Sequence, residues 1–90
     1  MLSIEYHLSF KKDYKAIVKR GYDISKFEKV IEMLAKQEKL PEHYHDRYLK
    51  GIYQGFRECH IAPDWLLIYR VEKEELKLLM IRTGTHSDLF

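Results

Sequence analysis

Leu2-Ser3-Ile4-Glu5-Tyr6-His7 alternates apolar and polar positions, the two-residue period of a strand. The period then changes. Phe10, Tyr14, Ile17 and Val18 recur on one face of a helix, with Ser9 placed to cap its start and Gly21 to stop it after Arg20. A second helix has two candidate caps: Asp23, or Ser25 with Glu28 in capping-box spacing. Phe27, Val30, Ile31 and Leu34 form its apolar face. Leu40-Pro41 ends it, because a residue before proline is pushed out of helical geometry. The short link between the two helices predicts an antiparallel pair.

Residues 41–55, PEHYHDRYLKGIYQG, break both periods. They read as a loop that enters a sheet near Leu49 to Tyr53, with Gln54-Gly55 as a turn or bulge. Three strands follow at 56–61, 65–71 and 75–82, joined by Ala62-Pro63-Asp64 and Glu72-Lys73-Glu74. Thr83-Gly84 breaks the last one, and a short tail runs to Phe90. Strand, two helices and a meander predict an α+β fold, a single domain over residues 1–90. Its sheet is antiparallel, the N-terminal helical hairpin packs on one face, and the other face is free for a site.

Composition narrows the class. With 46% hydrophobic and 33% charged residues the chain is globular rather than disordered. A net charge of +2 permits a nucleic-acid partner without arguing for one. Lys and Arg outnumber Asp and Glu by 11 to 8 in residues 1–50 and trail them by 5 to 6 in residues 51–90. An anion site in the C-terminal half must therefore be local. Cys59 is the only cysteine, so no internal disulfide forms, and a lone strand thiol reads as a small buried hydrophobe. No secretory pattern and no apolar run of membrane length are present, which predicts a cytoplasmic protein without a membrane partner.

The candidate chemistry gathers in FRECHIAPDWLLIYRV, residues 56–71, and in RTGTHSDLF, residues 82–90. Strand alternation puts Glu58 and His60 on one face, roughly 7 Å apart, and Arg57, Cys59 and Ile61 on the other. A solvated polar face also explains such alternation. Arg57, on the core side, either pairs with a carboxylate there or is turned outward by a bulge at Gly55. Asp64 is ordinary turn chemistry after Pro63, and Trp65 opens an apolar strand. Arg82 ends a strand in a structural or a phosphate-directed role, and His86 follows in a loop. His43, His45, His60 and His86 match no zinc spacing, Lys50-Gly51 lacks a preceding glycine-rich loop, and no cofactor motif appears, so no metal or cofactor is expected.

Two imidazoles, two carboxylates and nearby guanidiniums are sufficient for RNA cleavage. RNA carries its own nucleophile, the 2′-hydroxyl. The protein need supply only a base for that hydroxyl, an acid for the leaving 5′-oxygen and a cation for the phosphate. Trp65 or Phe90 can stack a base.

The chain resembles the YafQ branch of the RelE-type toxins of bacterial type II toxin–antitoxin systems. The resemblance rests on Leu49-Lys50-Gly51, Gly55-Phe56-Arg57-Glu58-Cys59-His60-Ile61, Pro63-Asp64-Trp65 and Arg82-Thr83-Gly84-Thr85-His86 with the terminal Leu89-Phe90. It implies a microbial-RNase-like fold and a metal-independent endoribonuclease that cuts mRNA, often in the ribosomal A site. It also implies a cognate antitoxin, with operator DNA reached only through that antitoxin. Catalytic weight falls on His86 as proton donor, with His60, Glu58 and Asp64 beside it. Trp65, Arg82 and Phe90 shape the site or hold substrate, and Arg57 and Arg47 are further phosphate candidates. At one position the chain departs from the pattern. Many relatives read Asp-His-Pro-Leu where this chain has Asp46-Arg47-Tyr48-Leu49, and a guanidinium cannot serve as a base near neutral pH. The base is then His60, Glu58 or Asp64, with His45 a distant substitute. The alternative function is a weakly active or inactive module that binds the antitoxin and tunes repression.

Overall fold

The computed structural model describes residues 1–90. β1 (Ser3–Tyr6), α1 (Leu8–Lys19) and α2 (Ile24–Ala35) are followed by β2 (Arg47–Tyr48), β3 (Arg57–Ala62), β4 (Trp65–Glu72), β5 (Lys77–Gly84) and a last helical turn, α3 (His86–Leu89). The strands form one sheet in the order β1-β5-β4-β3-β2. β2 to β5 are antiparallel as expected. β1 lies parallel to β5, from Ser3 opposite Lys77 to Tyr6 opposite Met80, so the sheet is mixed rather than wholly antiparallel. Alternation in a sequence sets which face a side chain takes but not which way a distant partner runs.

Two local expectations also change. Ser9 does not cap α1, which starts at Leu8 after an uncapped His7. Its hydroxyl instead donates to the Ile81 carbonyl at 2.7 Å and ties α1 to β5. α2 is capped by Asp23, which accepts from the Ser25 amide at 3.1 Å and the Ser25 hydroxyl at 2.6 Å. These bonds lower the Asp23 carboxyl below the usual carboxylate range. The sheet is entered at Arg47–Tyr48 rather than at 49–53, where Gly51–Tyr53 is a tight helical turn.

The larger core lies under the helices. Phe10, Ile17, Phe27 and Val30 meet Cys59, Trp65, Leu67 and Tyr69 there. Each fully buried large apolar side chain stabilises the fold by roughly 1.5–3 kcal/mol. The alternate β4 residues, Leu66 and Ile68, face the opposite way and form a second core with Ile81 and Leu89. Tyr53, Phe56 and Leu49 pack against it. The sheet face opposite the helices is therefore partly roofed by the 49–56 segment and α3, not wholly free. No helix is long and apolar enough to cross a membrane.

Candidate active site

The sheet register lays out the chemistry. Arg47 of β2 is opposite Glu58 of β3, Glu58 opposite Ile68 of β4, and Ile68 opposite Arg82 of β5. Four strands thus place two guanidiniums at the ends of one row, roughly 14 Å apart from the usual strand spacing. The next row holds His60 opposite Leu66 and Leu66 opposite Gly84. The antiparallel register that pairs Arg47 with Glu58 carries His45 to the same level as His60, and their ring centroids lie 5.3 Å apart, edge to face. On the other side of His60 is His86, at 5.9 Å between centroids. Three imidazoles therefore stand side by side at one end of the sheet.

The carboxylates take different positions. Glu58 is 1% exposed. Its Oε1 lies 3.4 Å from Arg47 Nη2 and 3.7 Å from His60 Nε2, the latter too long for a hydrogen bond. Its Oε2 is buried without a partner. Alternation placed Glu58 on the correct face, but the second core closes over it. A buried carboxylate with an unmet oxygen is costly to hold for structure alone. Asp64, at the β3–β4 turn, is exposed, and its Oδ1 accepts from the His86 amide at 3.2 Å and lies 3.3 Å from His86 Nδ1.

His86 stands at the start of a short capped helix rather than in a loop. Thr85 and Asp88 form a reciprocal capping box that starts α3. Arg20 of α1's end grips Asp88 through two bonds, 2.6 and 3.1 Å. The Arg20 guanidinium, with the Thr85 backbone bond next, holds the Asp88 carboxyl well below the ordinary carboxylate range. Gly84 permits this closure, since a Cβ there would sit 2.9 Å from the Asp88 side chain. Leu89 is anchored in the second core, and the exposed Phe90 ring lies 6.3 Å from His86 and 5.9 Å from Tyr53.

The arginines divide by partner. Arg82 is clamped by Asp13 of α1, with bonds of 2.6 Å from Nε and 3.2 Å from Nη2. That contact raises the arginine's pKa above its ordinary value, so its charge is permanent, and Tyr53 lies close to it. Arg47 is largely exposed. Arg57 lies on the helix-side face, where Nη2 pairs with Asp46 and the guanidinium lies 5.3 Å from the centroids of both the Tyr48 and Tyr69 rings. Tyr69 donates its hydroxyl to the same Asp46 at 2.5 Å. Arg57 is therefore apart from the histidines and has the core-side carboxylate partner that was one of its two readings. Trp65 is 2% exposed and donates Nε1 to the Thr83 hydroxyl at 2.8 Å, so it shapes the sheet end and does not stack a base. Cys59 is fully buried, and burial pushes its thiol well above the normal range.

Asp13, Asp46 and Tyr53 had no site role in the sequence reading, and His45 was a distant substitute. Only Asp46, one residue from Arg47, carried a signal. The other contacts arise from pairing across the fold.

Comparison with known proteins bears on the whole chain. Residues 2–90 match the family described as the bacterial toxin of type II toxin–antitoxin system, YafQ. The chain belongs to the YafQ toxin family. The mRNA interferase toxin YafQ of Escherichia coli K12 is 39% identical over 88 residues, covering 97% of this chain and 94% of that one. A metal-bound toxin from Helicobacter pylori is 46% identical with a TM-score of 0.94 and complete coverage of both chains. YafQ in the E. coli DinJ–YafQ complex is 37% identical with a TM-score of 0.88, covering 100% of this chain and 99% of that one. In this YafQ-family chain no three His, Cys, Asp or Glu side chains converge as a metal-ligand set.

Proposed function

We propose that this protein is the toxin of a type II toxin–antitoxin pair and acts as a metal-independent endoribonuclease that cleaves mRNA on the ribosome. The observation that carries the proposal is the convergence of His60 and His86 on one sheet end, with Glu58, Asp64, Arg47 and Arg82 around them. His60, with Glu58 beside it, removes the proton from the 2′-hydroxyl. The 2′-oxygen bonds to phosphorus as the bond to the 5′-oxygen breaks. His86, its Nδ1 facing Asp64, gives its other ring proton to that leaving oxygen. The products are a 2′,3′-cyclic phosphate and a 5′-hydroxyl. Arg82, preoriented by Asp13, and Arg47 face the charge that builds on the phosphate. Phe90 is the exposed ring for base stacking. Paired acid and base contribute about 10²–10⁴-fold to such a reaction.

The arginine in place of the family's loop histidine favours a second reading, in which the fold binds its antitoxin and cleaves weakly. His45 beside His60 weighs against that reading by adding an imidazole two residues away. A likeness to YafQ in the DinJ complex supports a protein antitoxin as partner in either case. The deciding experiment is primer extension on translating ribosomes and on free mRNA, with wild type and His86→Gln, each used as prepared and after EDTA stripping of the protein followed by removal of the chelator. Cuts that persist with stripped wild-type protein and vanish in His86→Gln are expected. Absence of cuts from folded wild-type protein on both substrates would leave the binding module.

A further inference from the structure

A groove of about 940 Å³ runs from the site between α2 and the β2–β3 edge. Its polar walls are Lys26 and Lys29 of α2, His43 and His45 of the connecting turn, Arg47 of β2 and His60 of β3, and it contains no carboxylate residue. This concentration is notable in a chain of net charge +2. The protein's lysine ion pairs are made by Lys36 and Lys77, so Lys26 and Lys29 keep their charges unpaired. Asp23 and Asp64 border a smaller depression beside it, where Asp23 is engaged in capping α2 and Asp64 faces His86.

We infer that this groove is a track for the phosphate backbone of single-stranded RNA on one side of the cleaved bond, with Lys26 and Lys29 as phosphate contacts outside the catalytic group. The inference rests on the endoribonuclease reading above. Arg47 and His60 belong both to the groove and to the site, so a strand in reaction position has its next phosphates at the groove's mouth. The opposite side of the site is aromatic, with Tyr53, Phe56 and Phe90 in edge contacts. A nucleic-acid strand has one charged edge and one aromatic edge, and the two walls match it. Lys26 and Lys29, three residues apart on a helix, present their ammonium groups on one face. Phosphate contacts of this kind position a strand without reading its sequence.

The test uses fluorescence anisotropy with a labelled 2′-O-methyl oligoribonucleotide a dozen residues long, which has no free 2′-hydroxyl to react. The full-length protein would be compared with Lys26→Ala/Lys29→Ala, with Lys26→Arg/Lys29→Arg, and with Lys15→Ala/Lys19→Ala, an equal charge loss on exposed α1 positions. The alanine pair in the groove is expected to weaken binding about tenfold at low salt and to lower the log–log salt slope by about 1.4, two contacts at about 0.7 each. The arginine pair and the α1 pair are expected to bind like wild type. Equal weakening by both alanine pairs would reduce the effect to the overall field and overturn the track. No weakening by the groove pair would also overturn it, and would favour an acidic protein segment as the occupant. Cleavage is scored separately: a wild type that binds but does not cut sinks the endoribonuclease reading and leaves the groove standing.

Discussion

Arg57 and Glu58 are neighbours on one strand, and the two sheet faces use them in opposite ways. On the helix-covered face Arg57 meets Asp46, Tyr48 and Tyr69, and Tyr69 closes the network by donating to Asp46. Burial, with Asp46 next, raises the Tyr69 phenol far above its normal range, so it stays a neutral donor. On the other face Glu58 is as deeply buried as any core residue, yet one oxygen is unpaired and its arginine partner is mostly in solvent. Each residue also buries one unmet atom, Arg57 Nε and Glu58 Oε2, so the contrast lies in the partners each does have. A charge whose partner is itself tied into the fold secures the structure, whereas a buried carboxylate whose partner reaches into solvent is poised for a ligand.

Substitutions on the two faces should therefore separate activity from stability. The largest effect is expected from His86→Gln, a loss of about 10²–10⁴-fold in cleavage, with an unchanged melting temperature. Primer extension and thermal unfolding on one preparation check it, and near-wild-type cutting would remove His86 from its role. Next is Arg57→Ala. It leaves Asp46 short of its cation and should cost roughly 1–3 kcal/mol in urea unfolding, discounted because the pair is partly exposed. Its cleavage per folded molecule should stay within about twofold, and a large loss there would place Arg57 with the substrate.

Glu58→Gln should do the reverse. Removing a buried, half-paired charge should leave stability equal or raised by about 1 kcal/mol, while cleavage falls about tenfold. Parallel losses in both would make Glu58 a fold residue like Arg57. The smallest effect concerns acid. Asp88 is depressed in the folded state by Arg20, so its contribution is full above the unfolded carboxylate pKa and is lost as pH falls through the lower folded value. Protection of the α3 amides from exchange, taken relative to the intrinsic rate at each pH, should therefore fall below about pH 4. Asp88→Asn should exchange faster at neutral pH and lose that acid dependence.

Much of this was legible without coordinates. The apolar faces of both helices, the three C-terminal strands and the two faces of β3 all follow from periods of local sequence. His60, His86, Glu58 and Asp64 were also visible as candidates. Three things were not. α3 was missed because four residues are too short to show a helical period, and its stability comes from Arg20 and Leu89 rather than from propensity. His45 was set aside because only the β2–β3 register brings it opposite the His60 level. Arg57 was ambiguous because its partner Asp46 reaches it only through the β2–β3 pairing.

Sequence by itself determined the elements, the buried faces and the chemical groups, since each depends on neighbours a few residues away. The tertiary structure alone decided the parallel placement of β1, the roof over Glu58, the three-imidazole cluster and the arginines' partners. Those depend on pairing across tens of residues. Alternation specifies a side chain's face, but it carries no information about the distant strand or helix that the face will meet.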